Sequence, residues 1–123
     1  MKRFKNILFV ADGADGERSA LRRALALARD NGARLTVMDV IDEFSTLSPD
    51  AQVIEAVGSL QKALARERAR ELERLLKSVR APADGVRTAI EIRPGKPFIQ
   101  IIRQVLSGRH DLLVKAPRGT SGC

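Results

Sequence analysis

The stretch NILFVADGADGERSALRRALALARDNGARLTVMDVI, residues 6–41, changes its apolar rhythm twice. Asn6 to Ala11 is a continuous apolar run halted by Asp12-Gly13, which fits a strand buried on both faces, as parallel sheets require. From Glu17 to Ala28 the residues Ala20, Leu21, Ala24, Leu25 and Ala28 recur at helical spacing, and Asn31-Gly32 supplies the stop. Ala33 to Ile41 returns to strand character. A strand, a helix and a second strand in this order make a parallel βαβ unit with a right-handed crossover.

The same alternation continues outward. A loop through Ser45, Ser48 and Pro49 leads into a long helix, with Ser48 suited to the N-cap and Pro49 to the first turn. Its second half, Gln61 to Arg80, sets Leu64, Leu72, Leu75, Leu76 and Val79 on one face, and Glu73 and Lys77 form an i,i+4 pair on another. Pro82, Asp84 and Gly85 end it. Val86 to Arg93 reads as a third strand, closed by Pro94-Gly95. Phe98, Ile99, Ile102, Val105 and Leu106 mark a short helix ended by Gly108, and Asp111 to Ala116 is the fourth strand. The expected fold is α/β, a single-domain Rossmann-like open parallel sheet with helices on both faces. Ligands of such sheets bind outside the strands' carboxyl ends, where the strand order reverses. That places the loop from Asp12 to Gly16 beside the loop after the fourth strand.

Composition narrows the function. The 123 residues suit one domain, 1–123. The apolar runs fall far short of the roughly 20 residues of a membrane span, and the basic start reaches Asp12 too soon for a signal-peptide core. The expectation is a cytoplasmic protein with no membrane partner. One cysteine, Cys123, excludes an internal disulfide and a multi-cysteine metal site. The formal charge of +7 is spread through helices interleaved with glutamate, as in Arg66 to Arg74. With four Phe and neither Trp nor Tyr, stacking platforms are too few for specific nucleic-acid recognition.

The motifs leave a nucleotide in view but no reaction. Ala11-Asp12-Gly13-Ala14-Asp15-Gly16 approaches the dinucleotide fingerprint GxGxxG, with Asp39 or Asp42 where a ribose-binding carboxylate would lie. The first glycine is absent, however, and Asp12 would oppose a pyrophosphate. The same residues also read as an ordinary strand-to-helix turn with helix-start carboxylates. A Walker loop fails by counting: Gly95-Lys96 requires glycine at position 90, which is Ile90, and Pro97 stands where Ser or Thr would meet magnesium. His110, the only histidine, falls at the sheet end opposite the expected crevice, so its role is read as structural or solvated. Lys115 and Arg118 flank the small-residue loop Gly119-Thr120-Ser121-Gly122 and fit either contact with an anion there or a surface-solubility role. A small nucleotide-dependent or dinucleotide enzyme is the competing class.

Asp12 after the first strand, Leu35 to Asp42 in the second, Gly95 before the short helix, and Asp111 to Ala116 together resemble the universal stress protein family. The similarity runs over nearly the whole chain. It implies a sheet of order 3-2-1-4 continued by a fifth strand, frequent homodimers or higher oligomers, and no general catalytic reaction; some members bind ATP and others do not. In the ATP-binding members a carboxylate after the first strand and a valine late in the second contact the nucleoside. Those positions are Asp12 and Val40, flanked by Ala11 and Gly13. Their phosphate loop follows Gly-x-x-Gly-x(9)-Gly-Ser/Thr. Here Ala116 replaces the first glycine, Pro117 removes a backbone donor, Gly119 is the second glycine, and the third would fall at position 129, past Cys123. Lys115, Ala116, Arg118, Gly119 and Gly122 are then what is expected of the phosphate side. The resemblance implies impaired adenine-nucleotide binding in a non-catalytic stress-response module, or an oligomeric interaction module that binds no nucleotide. It also implies that the chain is the front part of a longer protein, such as a tandem-type member.

Overall fold

Seven elements alternate along the chain: β1 (Asn6–Val10), α1 (Glu17–Asn31), β2 (Arg34–Ile41), α2 (Ala51–Val79), β3 (Thr88–Pro94), α3 (Pro97–Gly108) and β4 (Leu112–Lys115). The computed structural model describes residues 3–43 and 49–116. Its four strands form one sheet in the order β3-β2-β1-β4, with every pair parallel. This is the expected order 3-2-1-4. Strand order reverses at β1, where Phe9 stands in register with Val37 on one side and Val114 on the other.

The apolar run of β1 is explained by burial on both faces. Ile7, Phe9 and Ala11 join Leu21, Ala24, Leu25, Leu35, Val37 and Leu72 in the larger core, beneath α1 and α2. Leu8 and Val10 turn the other way and pack with Met38 against Ile101 and Val105 of α3. The two faces are unequal: two helices cover one and a single helix the other.

α1 ends at Gly32, whose φ of 64° is open to glycine at little cost. The Ala33 N–H then reaches the Ala28 carbonyl at 2.8 Å, satisfying an orphan acceptor of the last turn. Asn31 does more than mark the stop. Its Oδ1 accepts from the Arg3 and Phe4 N–H groups, and its amide donates to the Leu27 carbonyl.

α2 departs from expectation at its start. Asp50 is the N-cap, with its carboxylate accepting from the Gln52 N–H at 2.8 Å. Pro49 therefore precedes the helix, and Ser48 lies outside the described residues. A carboxylate at this position both accepts the orphan N–H and meets the positive end of the helix dipole. The expected apolar face holds for Leu72 and Leu76, which are buried, and for Leu75 and Val79, which pack against the core. Leu64 is exposed instead. The cause is length: 29 residues of helix span about 43 Å, whereas eight residues of β2 span about 26 Å. The first half of α2 therefore extends past the sheet. Its ion pairs run from Arg68 to Asp39 and Glu71 and from Arg70 and Arg74 to Glu67; the expected Glu73–Lys77 pair is not among them.

Two strands begin later than the periodicity indicates, because polar side chains use the backbone first. The Val86 N–H donates to the Asp84 carboxylate in the turn before β3. Asp111 accepts from the Lys5 and Asn6 N–H groups just ahead of β4.

Candidate functional site

The carboxyl ends of β1 and β4 bring Asp12 and Lys115 together. Lys115 is the register partner of Val10, two residues before Asp12, and its Nζ lies 3.2 Å from Asp12 Oδ2. The Asp12 side chain is 13% exposed and Lys115 41%, so the carboxylate is largely enclosed while the ammonium remains open to solvent. The other Asp12 oxygen accepts from the Ala14 N–H at 3.1 Å. Ala11 and Ala116 are buried on either side and present little but backbone; the Ala11 N–H is committed to the Met38 carbonyl at 2.7 Å.

The loop from β1 into α1 turns through Gly13 and Gly16, with φ of 79° and 82°, a region that side chains with a Cβ rarely enter. The Gly13 N–H donates to the Glu17 carboxylate at 2.8 Å. With Ala14 held by Asp12, two consecutive amides that would cradle a pyrophosphate are engaged by the chain's own carboxylates. This is the ordinary strand-to-helix turn, closed by helix-start acids. Glu17 was legible as a first-turn residue; its reach back to Gly13 is set by the tight double-glycine turn.

Val40 stands near the end of β2 on the α3 side, packed with Leu8, Val10 and Met38. Its N–H donates to Asp39 Oδ1 at 2.7 Å, and the other Asp39 oxygen accepts from Arg68 Nε of α2 at 2.6 Å. Burial pushes the Asp39 carboxyl above its ordinary range, while the Arg68 guanidinium and the Val40 N–H pull against that rise. Both Asp39 oxygens are thus committed to the protein, which removes it as a free ribose acceptor. Arg68 had no motif to announce it: one arginine in a run of alternating charges, selected only by the side of α2 that faces β2.

The structure therefore brings together Ala11, Asp12, Gly13, Val40, Lys115 and Ala116 at the strand-order reversal. Arg118, Gly119 and Gly122 lie outside the described residues.

A family model described as the universal stress protein family matches residues 3–123. The chain belongs to the universal stress protein family. Universal stress protein E of Photorhabdus laumondii is 32% identical over 124 residues, a match that takes in 94% of this chain and 36% of the relative. This universal stress protein thus spans about a third of that relative's length. Among solved structures, universal stress protein UspA from Lactobacillus plantarum superposes with a TM-score of 0.67 at 23% identity, covering 98% of this chain and 81% of that one. A universal stress protein in complex with cAMP superposes with a TM-score of 0.56 at 19% identity, covering 89% and 70%. At these identities the structural likeness carries the fold.

Proposed function

We propose that this universal stress protein is a non-catalytic stress-response module that takes an adenine nucleotide weakly at the carboxyl ends of β1, β2 and β4. The observation behind this reading is the enclosed Asp12 carboxylate paired with Lys115, at the strand-order reversal where open parallel sheets receive ligands. A related fold carries cAMP. Binding would be weak because Asp12 and Lys115 are already paired, so a nucleotide must displace one partner or the other. Lys115, once released, meets phosphate oxygens; Arg118, Gly119 and Gly122 follow it in sequence and complete the proposed phosphate side. Calorimetric titration with ATP, ADP, AMP and cAMP tests this. The expected result is heat with at least one of them and a tenfold or larger loss in Asp12→Ala. Silence with all four, or equal affinity in the variant, would remove the nucleotide reading.

A second reading, an oligomeric interaction module working without nucleotide, is favoured by one surface. Phe98 and Leu106 of α3 are 76% and 72% exposed, beside Ile102 and Leu113. β4 pairs only with β1 among the described strands, so this apolar surface adjoins an open strand edge of the kind that proteins usually cover. A homodimer or larger assembly that covers it should scatter light as at least twice the chain mass, and Leu106→Glu with Phe98→Glu should return it to monomer. A wild-type monomer at moderate concentration would count against this reading.

A further inference from the structure

The opposite end of the sheet carries a second constellation. A cavity of about 230 Å³ opens at the amino ends of β1, β2 and β3, against the last turn of α3. Arg34, Arg87, Thr36, Gln104 and His110 line it, and no carboxylate does.

Arg34 and Arg87 each stand one residue before the register pair Leu35–Thr88, and the Leu35 N–H donates to the Arg87 carbonyl at 2.9 Å. They are therefore lateral neighbours on adjacent strands, and both line the same cavity. Like charges so placed repel. Among the described residues neither has an acidic partner.

The neighbouring hydrogen bonds define what the cavity lacks. Gln104 is 7% exposed, and its Oε1 accepts from Arg93 Nε at 2.9 Å. That bond orients the amide, so Gln104 Nε2 donates to His110 Nε2 at 3.0 Å. A neutral imidazole accepting at Nε2 carries its proton on Nδ1, and this buried Nδ1 has no hydrogen-bond partner in the structure. Gly108 permits the arrangement, since a Cβ there would stand 2.5 Å from His110 Nε2 and 3.0 Å from Gln104 Nε2. The unsatisfied capacity around the cavity is thus donors and positive charge.

We propose that this cavity binds a small phosphate dianion, free or as a monoester, between the guanidinium groups of Arg34 and Arg87. Guanidinium forks match the spacing of phosphate oxygens, and an anion shared by two arginines turns their repulsion into joint attraction. The site is independent of the nucleotide crevice, which lies at the other ends of the strands.

The test is thermal denaturation and calorimetry in sodium chloride buffer, titrating inorganic phosphate or ribose 5-phosphate at matched ionic strength. Phosphate is expected to raise the melting temperature, and the ligand with the larger effect identifies the free or the esterified source. Arg34→Ala with Arg87→Ala should melt no lower than wild type in chloride, because repulsion is relieved, yet lose the phosphate response and bind at least tenfold more weakly. Arg87→Glu should pair with Arg34 and abolish binding outright. Nitrogen resonances of the His110 ring should shift as phosphate is added. No response beyond matched chloride, an unchanged response in the double alanine variant, or shifts confined to the loop from Asp12 to Gly16 would overturn the proposal.

Discussion

At the residue scale, the informative side chains are polar groups whose partners are distant in sequence. Asp12 was legible from its place after an apolar run, but its pairing with Lys115 was not, because the two meet only when β4 docks beside β1. His110 illustrates the converse. Its remoteness from the crevice followed from its position before the fourth strand, and the structure places it there, against Gln104 and Gly108. Burial pushes its pKa below the usual histidine range. The folded state then resists a proton that the unfolded chain accepts, so His110 favours folding above its unfolded pKa of about 6.5 and penalises it as pH falls below that value. In phosphate-free chloride, wild type should lose stability between pH 7 and pH 5, and His110→Asn should lose measurably less. Parallel urea midpoints for the two proteins across that range would contradict this account.

At the scale of elements, the apolar spacing read β1, α1 and α2 correctly in kind, and the misses sit where polar side chains take over the backbone. The connection from α2 to β3 is the clearest instance. The Arg80 guanidinium donates to both Asp84 oxygens and also to Thr88 Oγ1 and the Val86 carbonyl, while the Val86 N–H donates back to Asp84. Pro82, Asp84 and Gly85 marked a turn in the sequence; nothing local indicated that Arg80 and Asp84 would clamp it. The Arg80 hydrogen bonds hold the Asp84 carboxyl below the usual carboxylate range despite its burial. Its contribution is therefore complete above an unfolded pKa of about 3.9 and lost as pH falls through the lowered folded value. Asp84→Ala should cost about 2 kcal/mol near neutral pH and should reduce the acid sensitivity of unfolding below about pH 4. Chemical denaturation at pH 7 and pH 3 checks both; a variant as stable as wild type at pH 7 would show the clamp to be dispensable.

For the whole molecule, a parallel α/β sheet was readable because strand and helix periods alternate along the chain, whereas its order 3-2-1-4 came only from the family resemblance, since alternation does not say which strands become neighbours. How far each helix follows the sheet was not readable, since Leu64 and Leu72 have the same local pattern and differ only in whether a strand lies beneath them. The two ends of the sheet also differed in legibility. The crevice at the carboxyl ends announces itself through Asp12, glycines and a loop, whereas the cavity at the amino ends depends on strand register setting Arg34 beside Arg87. Register is a pairing property, and one chain read from end to end carries it only implicitly.

The position of β1 has a further consequence for how the chain comes to be folded. β1 is synthesised before the other three described strands of its sheet, yet it is an interior strand, and its second neighbour begins at Leu112. Until β4 has been made, β1 can be paired by β2 on one side while its edge toward β4, from Ile7 to Val10, waits for a partner. The earliest-made of these four strands is therefore among the last of them to be completed, and closing that edge awaits a contact more than 100 residues away in sequence.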